Sequence, residues 1–234
     1  MLSKNRKIFS LSYTLRRYYV DEFYSRNINL FEQGSIILDI GGKKKNKRGY
    51  FNIENYPVSV KYANLDITTE PDFLCDVTNV PAPKSTFDGV VCSEVLEHVP
   101  DPKKVLEEAF RVLRPGGVLL VCVPFLFRVH PDPYDFGRYT GQYWQTVLED
   151  IGFKNTKIEC QGLFFSVASD MLTGFAYQME KEGNISGLKR WFIRKLAVFG
   201  KRKAFELDRK QHFKNHPFFN SYTAGYGIIA FKPT

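Results

Sequence analysis

Cysteine is scarce in this sequence, and the few residues present are not spaced like a disulfide framework or a zinc site. There are four among 234 residues, and no two of them form a Cys-x-x-Cys pair. Each lies in or beside a predicted strand, so we expect free, buried thiols of a reducing compartment. The four residues are Cys75, Cys92, Cys122 and Cys160.

Long hydrophobic runs, internal repeats and low-complexity segments are also missing. No apolar run reaches the roughly 20 residues that a membrane-spanning helix needs. The N-terminal stretch 8–15 is interrupted by Ser10, Ser12 and Thr14 and is followed by arginines, which is unlike a secretory signal peptide. These absences predict a cytoplasmic protein, with a peripheral contact to the inner face of the membrane left open.

The excess of positive charge is confined to one part of the chain. The net charge is +8, from 33 Lys and Arg against 25 Asp and Glu. Residues 181–214 hold 11 basic and 3 acidic residues, which leaves 22 of each sign for the remainder. A segment of this kind attracts anions, which could belong to nucleic acid, a lipid surface or a phosphorylated substrate.

Buried apolar runs alternate with helix-like segments, which is typical of an α/β protein with a largely parallel sheet. Helices are predicted at 8–33, 105–113 and 140–151, with Thr140 as the N-cap of the last and Gly152 just past its end. Seven strands are predicted, at residues 35–40, 60–65, 73–77, 87–92, 118–123, 154–160 and 226–231.

The last two predicted strands are separated by about sixty residues, where a hairpin would need only a few. We therefore divide the chain into an N-terminal helical segment, 1–34, a core formed by 35–161 and 223–234, and a basic, aromatic-rich insertion, 162–222. We expect the insertion to cover the acceptor side of a cleft and to determine substrate specificity.

Five short motifs follow one another along the first half of the chain. They are IILDIGG at 36–42, LDIT at 65–68, DFLCDVTNVP at 72–81, SEVLEHVPDP at 93–102 and RVLRPGG at 111–117. Polar residues follow the predicted strands, and the carboxyl ends of parallel strands are where open α/β sheets bind ligands. With these motifs, the sequence resembles the S-adenosylmethionine-dependent methyltransferases with a Rossmann-like fold.

The resemblance implies a Rossmann-like α/β fold, with a mostly parallel seven-stranded sheet, helices on both faces and a helical insertion between the last two strands. It implies S-adenosylmethionine as the cofactor and methyl transfer to a small molecule or glycan. The stretch VPFLFRVHPDPYDFGRYT at 123–140 resembles a smaller group, whose members often accompany the synthesis of bacterial surface polysaccharides. A lipid-linked or phosphate-linked sugar is therefore a candidate acceptor.

The resemblance assigns nine residues to the cofactor. Asp39 and the glycines after it would lie by the methionine part, Asp66 would accept the ribose hydroxyls, and Asp76 would receive the adenine amine. The alternative for Asp66 is a helix cap, and for Asp76 a turn. The nine residues are Asp39, Gly41, Gly42, Asp66, Ile67, Asp76, Val77, Ser93 and Glu94.

The loop after the first strand departs from the family pattern. Gly41 and Gly42 are followed by a basic run, 43–48, in place of further glycines, and no helix is predicted there. This leaves the local cofactor geometry open. It also argues against NAD, whose pyrophosphate needs the full glycine pattern at the start of a helix.

A dense polar cluster follows the fifth predicted strand and is assigned to the acceptor side. Methyl transfer needs the acceptor held in line with the sulfonium, and an oxygen acceptor also loses a proton. His130 and Asp135 are the candidate bases, and Arg138 could hold an acidic or phosphorylated group; Tyr139 completes the set. The alternative is a rigid lid in which Arg138 pairs with an aspartate.

No metal ligands are assigned. His212 and His216 have helical spacing but no acidic or cysteine partner nearby in sequence, and His98 is interpreted as structural. The stretch 187–203 mixes aromatic and basic residues, as in a helix that lies on an anionic membrane or in a lid helix packed on the domain.

Two other functions compete with methyl transfer to a small molecule or glycan. A nucleic-acid methyltransferase or binding module would use the same basic segment, but residues 93–96 read Ser-Glu-Val-Leu where amino-group DNA methyltransferases carry an Asn/Asp-Pro-Pro-aromatic tetrapeptide. Nucleic acid is therefore the less favoured partner. A degenerate, non-catalytic protein of the same fold would explain the altered glycine loop.

Overall fold

A computed structural model describes residues 8–45, 47–130, 133–183 and 186–234. Within them, seven strands form one sheet in the order β3-β2-β1-β4-β5-β7-β6. The strands are β1 (Ile36–Ile40), β2 (Ser59–Asn64), β3 (Phe73–Leu74), β4 (Phe87–Ser93), β5 (Leu113–Pro124), β6 (Lys154–Gln161) and β7 (Gly225–Phe231). This confirms the predicted Rossmann-like sheet.

The centre of the sheet is parallel, and its strand order reverses beside β1. From β1 the chain adds β2 and β3 on one side and β4 and β5 on the other, with every one of these pairs parallel. Asp39 of β1 lies opposite Tyr62 of β2 and Val91 of β4. A reversal of this kind opens a crevice at the carboxyl ends of the central strands, which is where such sheets bind ligands.

The described residues also form helices. They are α1 (Leu15–Asn27), α2 (Pro102–Val112), α3 (Gly141–Ile151), α4 (Phe164–Glu182), α5 (Gly187–Asp208), α6 (Gln211–Asn215) and α7 (Pro217–Asn220). The predicted ends of α3 are confirmed: the Thr140 side chain accepts from Tyr143 N, and Gly152 ends the helix with φ 109°. Apolar residues of α2 and α3 belong to the same hydrophobic core as those of β4 and β5, with Trp144 fully buried among them.

Two predicted boundaries are wrong. Residues 114–117 do not simply turn the chain, because β5 already begins at Leu113. Phe87 of β4 pairs with Leu113 of β5, and Gly89 of β4 pairs with Val118 of β5. The register therefore shifts between these pairs, and β5 carries extra residues that form a bulge. The third strand stops at Leu74 instead of continuing to 77, since the Asp76 side chain accepts from Thr78 N and bends the chain there.

The chain divides into two compact units. One comprises residues up to Asp21 together with Cys160–Gly225, and the other comprises Glu22–Glu159 and Tyr226–Thr234. The predicted cofactor and acceptor residues all belong to the second unit, whereas α4 to α7 belong to the first. Among the described helices, none combines the length and apolar character that crossing a bilayer would require.

Candidate active site

The carboxyl end of β1 is packed so closely that only glycine fits after it. A Cβ added to Gly42 would lie 2.6 Å from Asp39 Oδ1 and closer still to the rest of that carboxyl group. A Cβ at Gly41, where φ is 74°, would collide with the Val95 side chain, which follows β4. The backbone after β1 therefore closes onto both the Asp39 carboxyl and the end of β4, as a ligand-binding turn requires.

Asp39 is held in an environment that favours its neutral form. Burial raises the pKa of its carboxyl to about 7, an effect that Lys47 opposes and Glu54 reinforces. A cation placed beside this carboxyl would stabilise the ionised form. The methionine end of S-adenosylmethionine carries two such cations, an ammonium and a sulfonium, so the residue fits the group that the sequence assigns to it.

Three lysines of the basic run after Gly42 pair with acids. Lys44 lies 3.2 Å from Asp72, and Lys45 lies 2.6 Å from Glu70. Lys47 Nζ reaches Glu54 at 2.8 Å and donates to Tyr62 Oη at 2.7 Å. These pairs hold the loop without the helix that normally follows the glycine motif, which explains how the sequence can depart from the family pattern there.

A residue that the sequence analysis missed supports the same loop. The Asn64 side chain donates to the carbonyl oxygens of Gly41 and Gly42 at 3.1 and 3.0 Å. It is the last residue of β2, and a polar side chain at a carboxyl strand end was the available signal. Asn64 therefore links the end of β2 to the glycine turn after β1 and holds these two candidate ligand-binding segments next to each other.

Asp66 and Asp76 each make the local bonds foreseen by their structural alternatives. Oδ1 of Asp66 accepts from Thr68 N at 2.9 Å and from Thr68 Oγ1 at 2.7 Å. Oδ1 of Asp76 accepts from the same two groups of Thr78, at 2.9 and 2.8 Å. These bonds fix both carboxylates and use one oxygen of each, so the ribose and adenine roles stay predictions that depend on the second oxygen.

Exposed apolar side chains accompany these carboxylates. Ile67 is 65% exposed, and Leu65 and Leu74 at the ends of β2 and β3 are also exposed, while Val77 is buried. Apolar side chains beside a few polar groups are typical of the walls of a small-molecule site, where a planar base could cover them. Leu65 and Leu74 were not among the predicted site residues.

The end of β4 has an unusual backbone. Glu94 has φ 55°, in the left-handed region that residues other than glycine rarely occupy, and its N–H donates to Cys122 O of β5 at 2.8 Å. Such conformations concentrate at ligand-binding sites because the surrounding structure enforces them. Ser93 and Glu94 lie at the carboxyl end of β4, which pairs with β1, and their cofactor role stays a prediction.

Three of the four predicted acceptor-side residues come together, and the fourth packs elsewhere. Arg138 makes two bonds to Asp135, at 2.5 and 2.7 Å, and Asp135 Oδ2 accepts from His130 N at 2.8 Å. Hydrogen bonding from Arg138 holds the pKa of the Asp135 carboxyl far below its usual range. Tyr139 instead stacks on Tyr143, with ring centroids 4.3 Å apart.

The Asp135–Arg138 pair corresponds to the rigid-lid alternative. A carboxylate bound this tightly to a guanidinium is a poor base, so the geometry favours His130 over Asp135 as the reactive group of the segment. The same pairing occupies the edge of Arg138 that would otherwise receive an anionic substrate. The catalytic assignments stay predictions.

Glu97 and His98 join His130, which the sequence did not predict. Glu97 Oε1 lies 3.6 Å from His98 Nε2 and 3.8 Å from His130 Nε2. The two imidazole rings meet edge to face, with centroids 5.1 Å apart. Glu97 and His98 form the short helix after β4 and His130 follows β5, so neighbouring parallel strands bring them together.

Residues 42–121 match a family model described as a methyltransferase domain. A similar sequence is a ubiquinone biosynthesis O-methyltransferase of Psychrobacter cryohalolentis, 40% identical over 63 residues. That match covers 27% of this chain and 23% of the relative, so the chain aligns with about a quarter of the relative's length. The matched family region contains the carboxyl ends of β2, β3 and β4.

Solved structures of methyltransferases share the fold. A S-adenosylmethionine-dependent methyltransferase of Archaeoglobus fulgidus aligns with a TM-score of 0.55 at 16% identity, over 92% of this chain and 94% of its own. A Haemonchus contortus phosphoethanolamine N-methyltransferase in complex with S-adenosylmethionine aligns with a TM-score of 0.52 at 12% identity, over 93% and 57% of the two chains. This chain therefore shares the fold of these solved methyltransferases, and its residues 42–121 match a methyltransferase domain.

Proposed function

We propose that this protein transfers a methyl group from S-adenosylmethionine to a hydroxyl of a small molecule. One observation carries the proposal: the crevice beside β1 collects Asp39, Asp66, Asp76 and Ser93 at adjacent carboxyl strand ends, within a chain whose residues 42–121 match a methyltransferase domain. The cofactor would supply the reactive methyl on its sulfonium. The protein's task is then to hold the two reactants in line and to accept a proton.

Residues at different strand ends would carry out different parts of this task. Asp39 and the glycine turn would hold the methionine end, and the Asp66 and Asp76 carboxylates the nucleoside. The segment after β5 would form the acceptor side, because β5 lies next to β4 in the parallel sheet and ends at the same edge. Within it, the surroundings of His130 would receive the proton that the acceptor hydroxyl loses.

The cofactor assignment predicts a loss of affinity when Asp66 is replaced. Asp66→Ala should weaken binding of S-adenosylhomocysteine by about 10-fold to 150-fold, because hydrogen bonds to a charged group contribute about 1.5–3 kcal/mol. Isothermal titration calorimetry measures the change. Glu70→Ala is the matched control, since Glu70 is an exposed acid of the same loop that pairs with Lys45. Equal affinities for Asp66→Ala and the unaltered protein would remove the ribose assignment.

A hydroxyl acceptor is supported by the relative named above as a ubiquinone biosynthesis O-methyltransferase. The glycan acceptor rests on the resemblance at 123–140, all of which lies beyond the matched residues 42–121. We therefore propose a small hydroxylated aromatic as the first acceptor class and a lipid-linked or phosphate-linked sugar as the second. Transfer of labelled methyl to a catechol but to no sugar phosphate would separate the two classes.

We further propose that the first unit contacts an anionic membrane through α5. Leu188, Trp191, Phe192, Leu196 and Phe199 are all exposed on this helix, as are Met171, Leu172 and Phe175 on α4. Basic residues lie among them, although Lys201 is buried and donates to the carbonyls of Ser10 and Tyr13. Exposed aromatic side chains beside surface cations are typical of helices that lie in the headgroup region.

Vesicle sedimentation tests the membrane contact. Binding should be stronger to phosphatidylglycerol vesicles than to phosphatidylcholine vesicles and weaker at high salt, because each basic residue near an anionic bilayer contributes about 1 kcal/mol. Replacing Trp191 and Phe192 by serine should lower binding at least about tenfold, since two buried aromatic rings are lost. Leu30→Ser, an exposed apolar residue of the other unit, is the control. Equal binding to both vesicle types contradicts the proposal, and salt-sensitive binding of RNA would favour a nucleic-acid partner instead.

A further inference from the structure

Three metal-ligand side chains converge beyond the carboxyl ends of β4 and β5. The ligand atoms of Glu97, His98 and His130 all lie within 4.8 Å of one another. We propose that they bind a divalent transition-metal ion, with Zn²⁺ as the ion whose chemistry they fit. The sequence assigns no metal ligands, since Glu97 and His98 are 32 or more residues from His130 and only the fold unites them.

The hydrogen bonds of the two histidines orient them as ligands. His98 Nδ1 lies 2.6 Å from Tyr134 O, and His130 Nδ1 lies 3.0 Å from Arg128 O. A carbonyl oxygen only accepts, so each Nδ1 carries the proton, and in a neutral ring Nε2 is then left with a lone pair. Both Nε2 atoms face Glu97 Oε1. Metal-binding histidines are oriented in this way, with the second nitrogen donating to a carbonyl or carboxylate.

The Glu97 carboxyl group occupies a site that a cation would stabilise. The Glu97 side chain is 1% exposed. The imidazole atoms that lie near its carboxyl group are Nε2 of His98 and Nε2 of His130, each of which carries a lone pair. Three acceptor atoms that face one another in a buried place repel unless a proton or a cation lies between them. The Glu97 carbonyl accepts from Phe136 N at 2.7 Å, so the loop that fixes His98 also fixes the backbone of Glu97.

The charges around the three ligands add to a favourable total. Asp135 lies 3.4 Å from His130 Nδ1, and its negative charge is balanced by Arg138, whose Nη2 is also 3.4 Å from that nitrogen. Glu97 and Glu94 both add to the negative field felt by Arg138. A divalent cation meets attraction here, despite the nearby guanidinium.

The ligand set and the spacing both fit zinc. Two histidines and a glutamate are a known zinc ligand set, and three protein ligands leave a fourth position open. With metal–ligand distances of about 2.0–2.2 Å, ligand atoms of a tetrahedral site lie roughly 3.3–3.6 Å apart. The observed separations of 3.6 and 3.8 Å from Glu97 Oε1 need to contract by only a few tenths of an ångström.

An ion at this place would have a role in the proposed methyl transfer. It would polarise an acceptor hydroxyl, so that the hydroxyl proton would pass to water and the oxygen anion would take the methyl group from the sulfonium of S-adenosylmethionine; His130 would hold the ion and would not be the base itself. This role rests on the proposed function, whereas binding of the ion does not.

Zinc binding to the purified, metal-free protein tests the proposal. Calorimetry with ZnCl₂ should give one site per chain, and Co²⁺ should give the visible absorption of a low-symmetry nitrogen and oxygen site. Glu97→Gln keeps the shape of the buried side chain but removes its charge, and His130→Ala removes a second ligand. Each should lower zinc affinity by more than about 100-fold, because loss of an outer-shell partner alone costs 10-fold to 100-fold.

Two controls decide the outcome. His212→Ala alters an exposed histidine pair of the other unit and should leave zinc affinity unchanged. S-adenosylhomocysteine affinity, measured on every sample, reports folding and the proposed function independently. No zinc binding by protein that binds S-adenosylhomocysteine would overturn the metal site alone. Binding that survives Glu97→Gln and His130→Ala but is lost in His212→Ala would place the ion at the histidine pair and also overturn the proposal.

Discussion

Replacing Arg138 by alanine is expected to lower the free energy of unfolding by about 3–5 kcal/mol. Asp135 is 3% exposed in its side chain and makes two bonds to the Arg138 guanidinium. Removing one partner of a buried ion pair leaves the other charge uncompensated, and this costs more than the pair itself contributes. Arg138 keeps 18% of its side chain exposed, so we expect the lower end of the range. Urea denaturation measures the change.

Arg114→Ala provides a matched comparison. Arg114 pairs with Asp88 at 2.6 Å, and Asp88 accepts a backbone N–H from Ile36, just as Asp135 accepts one from His130. Both side chains of that pair are well exposed, so its loss should cost less than about 1 kcal/mol. The double variant with Asp135→Ala and Arg138→Ala should be more stable than Arg138→Ala alone, because the buried charge of the Asp135 carboxylate has been removed. Equal costs for the two arginine variants would contradict a structural role for Arg138.

Local signals account for the parts of the fold that the sequence predicted well. The limits of α3 follow from Thr140 and Gly152, each of which acts within one turn of itself. The lengths of β3 and β5 were predicted less well because strand limits depend on the neighbouring strand. The bulge opposite Phe87 exists only through the register between β4 and β5.

The candidate site likewise combines features that local sequence predicts with features that depend on distant parts of the chain. Asp39 and its glycines form a continuous motif, and the structure packs them against one another. The partners of Lys44, Lys45 and Lys47, by contrast, are acids from other parts of the chain, so the sequence showed the basic run but not the residues with which it pairs. The meeting of His130 with Glu97 likewise depends on two loops that follow adjacent strands, which no sequence spacing encodes.

The glycine turn gives the second large expected effect: Gly42→Ala should lower cofactor affinity more than tenfold. The new methyl group would lie within 2.6 Å of Asp39 Oδ1 and nearer to the other carboxyl atoms, so either the carboxyl or the loop must move. Overpacking of this kind costs about 1–3 kcal/mol of stability. The loss of cofactor affinity should be larger than tenfold, since both the turn and the carboxyl that are proposed to hold the methionine end are displaced.

A second substitution separates steric displacement from general damage. Gly42→Ala combined with Asp39→Ala makes room for the methyl group and should recover most of the stability. It should not recover affinity for S-adenosylhomocysteine, because the carboxylate that is proposed to bind the ligand ammonium is absent. Gly174→Ala, in the middle of α4 with no atom near the added Cβ, should be neutral or stabilising by up to about 1 kcal/mol. Calorimetry and denaturation on the three variants give both quantities. If Gly42→Ala bound the cofactor as well as Gly174→Ala does, the close approach of Gly42 to Asp39 would have no part in binding, and the methionine end would have to lie elsewhere in the crevice.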